Sequence, residues 1–207
     1  MFPNNDSPAQ LLASAQAGDG QKLGHLLQLY RNYLTVLATT QLDARLRKRV
    51  SPSDLVQETM LSAYRDFEQF RGNSEPELLA WLRKILINCL YHAYEVHMQA
   101  KRRDVRRDVS LEEVNKVLDR SVVRLAHVLA DKGASPSACV AQRERGVAMA
   151  DQLAKLRREY RDVIVLRNLQ GLSFDEIAVQ LGRKTGTVRM QWLRAIEKLR
   201  EVYEVEE

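Results

Sequence analysis

Cysteine is scarce: the 207 residues hold two, Cys89 and Cys139. They stand apart, with no CxxC pair and no histidine at ligand spacing, so neither a disulfide framework nor a zinc site is expected and a reducing compartment is implied. Glycine and proline are also few, at 9 and 5. Leu, Ala, Arg, Glu and Gln fill long stretches with little β-branched alternation, which favours helices and argues against a sandwich or barrel. No run approaches the roughly 18 apolar residues that span a bilayer, and Met1 to Asp6 has no basic region followed by an apolar core. An all-α, soluble, cytoplasmic protein without membrane insertion is expected. The four histidines, His25, His92, His97 and His127, have no HExxH or paired-carboxylate company. His92 and His97 fall on different faces of a helix, so no catalytic residue, metal site, cofactor or small-molecule substrate is expected.

What is present is a foldable chain with an uneven charge. Apolar residues make up 45%, and 32 bases against 27 acids leave a net charge of +5. A disordered chain would be less apolar and more lopsided, and this length suits two small domains. Between Ser51 and Ala80 six acids face two bases, whereas between Arg83 and Arg107 seven bases face two acids. One acidic and one basic surface are therefore expected on the first half. Trp81, Tyr91 and Tyr94 interleave with the basic stretch, a composition suited to single-stranded nucleic acid, where bases stack on rings and cations follow the backbone. Core packing is the plainer account of Trp81, and Tyr91 and Tyr94 serve bundle packing equally well.

Three Ser-Pro pairs, at Ser7, Ser51 and Ser135, read as helix starts: each sets an N-cap before a proline at the first helical position. A short helix ending near Gly18 is followed by a longer one carrying Leu23, Leu26, Leu27, Tyr30, Leu34 and Leu37. Next come Pro52 to Phe70, with Val56, Met60, Ala63, Phe67 and Phe70 on one stripe, and about Pro76 to Lys101, with Leu78, Trp81, Leu82, Ile85, Cys89 and Val96. These four helices make a bundle-sized domain over residues 1–103. Residues 104–134 read as a charged linker with room for one amphipathic helix, capped by Ser110 and Glu113. The second domain, 135–207, holds a helix to about Arg158, then Arg161 to Leu169, Phe174 to Leu181, and a last helix from about Thr187 to Val202.

Gly171 to Arg189 is the most informative stretch. Ser173 and Glu176 form a capping box, Ile177, Ala178 and Leu181 face inward, Gly182 stops the helix, and Val188 opens the next, which is helix-turn-helix spacing. At about 100° per residue, Val188, Trp192, Ala195 and Leu199 share a buried stripe. That turns Thr187, Met190 and Arg194 outward, with Arg189 and Gln191 flanking, as candidates for the major groove. From Arg183 to Arg200 six bases stand against one acid, a local surplus suited to phosphate contacts. A plain helical hairpin with a solvated charged side is the alternative.

Asp54-Leu55-Val56-Gln57-Glu58-Thr59, Phe70-Arg71-Gly72, Trp81-Leu82-Arg83-Lys84-Ile85 with Asn88, Gly171-Leu172-Ser173-Phe174-Asp175-Glu176-Ile177-Ala178 and Gly186-Thr187-Val188-Arg189 occur in this order. Together they resemble bacterial RNA polymerase sigma factors of the extracytoplasmic-function (ECF) group, from Leu11 to Arg200. Lys101 to Asp108 with Ser110-Leu111 further resembles the ECF branch abundant in planctomycete-like bacteria. The resemblance implies a sigma region 2 domain followed by a region 4 helix-turn-helix domain, with core RNA polymerase and promoter DNA as partners and an anti-sigma protein as a candidate third. It implies that Asp54, Gln57 and Glu58 dock on the clamp helices of the largest core subunit. Arg71, Gly72 and Asn73 would lie in the loop that captures a flipped base of the melted minus-10 element, and Trp81, Arg83, Lys84 and Asn88 on the helix that opens and holds the non-template strand. Arg183, Lys184, Thr187, Arg189, Met190, Gln191 and Arg194 would bind the minus-35 element. His92 departs from the acid usual there, and the linker is longer than in many relatives. The rival reading is a helix-turn-helix regulator acting without core polymerase.

Overall fold

The computed structural model describes residues 6–42, 46–97 and 139–204. Among them are nine α-helices and no strand. No helix among the described residues is long and apolar enough to cross a membrane. Contacts divide the chain into two compact units: residues 6–38 and 46–97 belong to one, residues 39–42 and 139–204 to the other. The expected linker, its Ser110 and Glu113 cap, the Lys101 to Ser110 motif and the Ser135-Pro136 start lie outside the described residues.

The first unit is built from α1 (Pro8–Gln16), α2 (Gly20–Leu29), α3 (Arg31–Gln41) as far as residue 38, α4 (Pro52–Arg65) and α5 (Glu75–His97). Ser7 and Ser51 start α1 and α4 by full capping boxes. In each, the serine hydroxyl accepts from the backbone N–H three residues on, and the Gln10 or Asp54 side chain accepts from the serine's own N–H. The long helix expected through Leu23 and Leu37 is two helices, giving five in place of four. Tyr30, 1% exposed, closes α2 at φ −97° and ψ 2°, and its carbonyl accepts from Leu34 N at 2.9 Å as α3 begins. The core gathers Leu26, Leu34, Leu37, Leu55, Leu78, Leu82 and Leu86, each at most 1% exposed. Burial of that extent stabilises by about 1.5–3 kcal/mol per side chain before chain entropy is counted.

Where α4 was expected to run to Phe70, it ends at Arg65 and Phe67–Gln69 tightens into a 3-10 turn. In a helix of three residues per turn, positions i and i+3 eclipse. Phe67 and Phe70 consequently point the same way and stack at 5.8 Å, which an α-helical register would have splayed.

The second unit holds α6 (Cys139–Lys155), α7 (Arg158–Ile164), α8 (Phe174–Leu181) and α9 (Thr185–Glu204). A π-helical turn, Val165–Leu169, extends α7 where a regular helix was expected. Val163, Leu166, Ile177, Ala178 and Val188 form its buried cluster, with Phe174, Leu181 and Trp192 packed around it. Ser173 and Glu176 cap α8. Gly182 ends it in the left-handed region at φ +64°, and Arg183 N reaches back to Ala178 O at 2.9 Å, a Schellman-type closure. The helix-turn-helix read from the sequence is present, with its second helix starting at Thr185, two residues early.

Candidate nucleic-acid interface

Along α4, Leu55, Val56, Thr59 and Ala63 are buried, and Thr59 keeps its hydroxyl satisfied by donating to Leu55 O at 2.7 Å. At about 100° per residue the opposite face carries Asp54, Gln57 and Glu58, all exposed. The same face continues through Leu61, 72% exposed, and Tyr64, 51% exposed. Sequence reasoning missed this apolar extension, which the same wheel arithmetic reveals. Asp54 has a second task. Its carboxylate accepts from Ser51 N at 3.1 Å, and the Ser51 hydroxyl and N–H hold its pKa below the usual carboxylate range.

The segment from α4 to α5 is fixed by ring packing, by the crowding at Gly72 and by hydrogen bonds at its end. Phe70 and Phe67 surround the Trp81 ring at 5.2 and 6.1 Å, leaving Trp81 half-buried. Gly72 has no room for a side chain: a Cβ would lie 2.5 Å from Phe70 Cζ and 2.8 Å from Glu77 Cβ. Glu77 Oε2 accepts from Asn73 N, Ser74 N and Ser74 Oγ at 2.9, 3.2 and 2.7 Å. Those donors, the Ser74 hydroxyl foremost, depress the Glu77 pKa. Arg71 and Asn73 are left exposed on a fixed backbone.

On α5, Trp81, Lys84 and Asn88 share one face, with Lys84 and Asn88 exposed. Arg83 does not join them. It lies about 200° from Trp81 around the helix, on the side of Leu79, Leu82 and Leu86, and is 8% exposed. The apolar stripe drawn from Leu78 to Val96 was too narrow, since Leu79, Leu86, Ile87 and Leu90 are buried as well and Val96 is 47% exposed.

On α9, Val188, Ala195 and Leu199 are fully buried, as expected. Trp192 is half-buried, with its ring edge-on to Phe174 at 5.7 Å and Nε1 donating to Asn168 Oδ1 at 2.9 Å. The π turn supplies Asn168 and also Arg167, whose Nη1 donates to Leu172 O at 2.9 Å. Thr187, Arg189, Met190 and Arg194 are exposed together with Lys184. Gln191 is not available to a groove. It is 7% exposed, its Nε2 donates to Glu159 O at 2.9 Å, and its Oε1 accepts from Arg183 Nη1. Arg183 also pairs with Glu159 at 3.8 Å, so both residues tie α9 to the start of α7. Arg189 lies over the Phe174 ring at 5.5 Å, and Arg167 lies over the same ring at 4.7 Å. Leu193, 48% exposed beside Met190, adds an apolar side chain to this outer face that the sequence reading left unmentioned.

Residues 26–98 match the family described as Sigma-70 region 2, and residues 147–199 match Sigma-70, region 4. The chain is 28% identical over 190 residues to the ECF RNA polymerase sigma-E factor of Haemophilus influenzae, covering 91% of each. It is 29% identical over 192 residues to the RNA polymerase sigma-H factor of Pseudomonas aeruginosa, covering 92% of this chain and 90% of that one. To the ECF RNA polymerase sigma-E factor of Escherichia coli K12 it is 28% identical over 193 residues, 91% of this chain and 90% of that one. Both matched regions follow in order along one chain that aligns with these relatives over most of its length, and the chain belongs to the ECF-type RNA polymerase sigma factors.

Proposed function

We propose that three surfaces divide the work of this sigma factor: the outer face of α4 for the polymerase, the Arg71 to Asn73 loop with the Trp81 face of α5 for the opened minus-10 strand, and α9 for the minus-35 duplex. Sigma factors of this type bind core RNA polymerase and direct promoter recognition, and this chain does so. The role is non-enzymatic and lies wherever the polymerase works, the cytoplasm. An anti-sigma protein, the further partner implied by the resemblance, would act by covering one of these faces. A helix-turn-helix regulator working without polymerase accounts for the second unit alone and leaves the region 2 match without a purpose.

The observation that carries the residue assignment is exposure. Asp54, Gln57 and Glu58 on α4, Arg71, Asn73, Lys84 and Asn88 around the loop, and Lys184, Thr187, Arg189, Met190 and Arg194 on the reading helix are all exposed. Trp81 offers one edge of a half-buried ring. Arg83 and Gln191 support these faces from behind, and Arg183, itself exposed in the turn before α9, is braced against Gln191 and Glu159.

Asp54 serves the helix cap, so reversing its charge would remove about 1 kcal/mol of capping together with any contact. The assignment of α4 is therefore tested with Gln57→Ala and Glu58→Lys, which leave the cap alone. Affinity for purified core polymerase should fall while the melting temperature stays within a degree or two of wild type. Unchanged affinity would overturn the α4 assignment.

A further inference from the structure

Gly72 presents a physical conflict. The Phe70 ring excludes any side chain at this position, and glycine is the residue whose neighbouring peptide groups reorient most freely. A loop that presents Arg71 and Asn73 in fixed directions needs the peptide between residues 72 and 73 held by something other than its own sterics.

Both polar ends of that one peptide group are held. Its N–H, from Asn73, donates to Glu77 Oε2 at 2.9 Å. Its C=O, from Gly72, accepts from Gln16 Nε2 at 2.7 Å. Glu77 is a neighbour in sequence, but Gln16 is 56 residues away, at the end of α1 and outside the 26–98 segment that matches region 2. The end of α1 is itself fixed. Gly18, at φ +96°, turns the chain, Asp19 Oδ1 caps α2 by accepting from Gln21 N and Lys22 N at 2.9 and 3.0 Å, and Asp6 pairs with Lys22 across the turn. Leu11, Leu12 and Ala15 bury the inner side of α1. Gln16 stays exposed at its rim, so packing does not explain the choice of residue there.

We propose that Gln16 is a positioning residue for promoter opening: with Glu77 it clamps the Gly72–Asn73 peptide, making α1 part of the device that selects a base in the minus-10 element. This rests on the reading of the Arg71 to Asn73 loop given above. A merely structural role for Gln16 would be satisfied by any side chain of the same size. A clamp requires a donor at the Gly72 carbonyl. Gln16→Glu keeps the size and removes the donor, whereas Gln16→Lys keeps a donor on a long stem.

The experiment reconstitutes holoenzyme from the full chain and core polymerase and selects open complexes from a duplex library randomised over both promoter elements. Gln16→Glu and Gln16→Ala should lose preference at one minus-10 position by about three- to ten-fold, the worth of one hydrogen bond. That position should be the one flattened by Asn73→Ala or Arg71→Ala, with the minus-35 profile unchanged and Gln16→Lys largely restored. A wild-type minus-10 profile for Gln16→Glu, with Asn73→Ala or Arg71→Ala flattened, overturns the clamp and leaves the loop reading standing. Unmoved profiles for both Arg71→Ala and Asn73→Ala overturn the loop reading and the clamp with it. Equal flattening of both elements by Gln16→Glu marks general damage and also overturns the clamp.

Discussion

The loop before α5 and the helix α9, the two regions proposed to meet nucleic acid, are fixed by opposite means. In α9 the backbone already satisfies itself through the i to i−4 ladder, so only the rotation and tilt of a rigid rod need setting. Side chains do that: Gln191 on Glu159 O, Trp192 on Asn168 and Phe174, and Arg189 over the Phe174 ring. The loop has no ladder. Its peptide groups are taken one at a time by Gln16 and Glu77, and its glycine is walled in by Phe70. The difference implies that the loop is vulnerable at its backbone and the helix at the side chains behind its reading face.

The largest effects should separate two glycines. Gly72→Ala drives a Cβ into the Phe70 ring and Glu77, and overpacking of this kind destabilises by about 1–3 kcal/mol. Gly186, in the first turn of α9, has nothing within 4 Å of an added Cβ. Gly186→Ala should be neutral or stabilising by up to about 1 kcal/mol, because the unfolded chain loses freedom and alanine favours helix. Urea unfolding of the two variants reads both numbers. Equal effects would erase the contrast between a backbone-held loop and a self-supporting helix.

Next in size is Phe174, the common support of Trp192, Arg167 and Arg189. Phe174→Leu removes an aromatic edge contact and two cation contacts and should destabilise by about 1–2 kcal/mol. Binding of minus-35 duplex by holoenzyme should weaken beyond what the stability loss explains, since Arg189 loses its platform, and Phe174→Tyr should restore it. Full binding by Phe174→Leu would mean that α9 needs no such backing.

Acid offers a smaller, graded test of the loop. Glu77 is held below the usual carboxylate range chiefly by the Ser74 hydroxyl, and Glu176 by the Ser173 N–H and hydroxyl. A carboxylate with a lowered folded pKa contributes stability that is fully present above its unfolded pKa, about 4.3, and lost as pH falls through the folded value. The melting temperature of wild type should therefore fall more steeply below about pH 4 than that of Glu77→Gln, and the gap between them should close as acid protonates the loop carboxylate. A gap constant with pH would show that the Glu77 charge is not what holds Asn73 and Ser74.

How far each region could be read in advance follows from the range of its causes. The caps at Ser7, Ser51 and Ser173 and the stop at Gly182 depend on residues three or four apart, so the sequence displays them directly. The inner stripe of α9 was legible for the same reason, being set by helical repeat alone. Arg83 and Gln191 were misplaced because a wheel gives direction and not cover: each points toward surroundings that bury it. The short turn at Phe67 depends on two rings meeting Trp81, and the π turn at Val165 changes what Arg167 and Asn168 reach. Neither leaves a local signature. The hydrogen bond from Gln16 to Gly72, 56 residues apart, exists only in the folded chain.

The finest test concerns which base α9 reads. Met190 is 50% exposed and Leu193, one turn on, 48%, so the face proposed for the groove is an apolar ridge flanked by Arg189 and Arg194. A thioether donates no hydrogen bond to a base edge, but it packs well on the methyl group that marks thymine in the major groove. Met190→Ala should lower the preference for one T·A pair of the minus-35 element by about 1 kcal/mol, roughly five-fold, and leave the salt dependence of binding alone. Arg194→Ala should do the reverse, weakening all sequences alike and reducing the logarithmic salt slope by about one phosphate contact. Selection by holoenzyme from a randomised minus-35 element, repeated at two salt concentrations, separates the two. If Met190→Ala keeps the wild-type profile, its methyl contact does not exist, and sequence reading on this face passes to the cations and to Leu193.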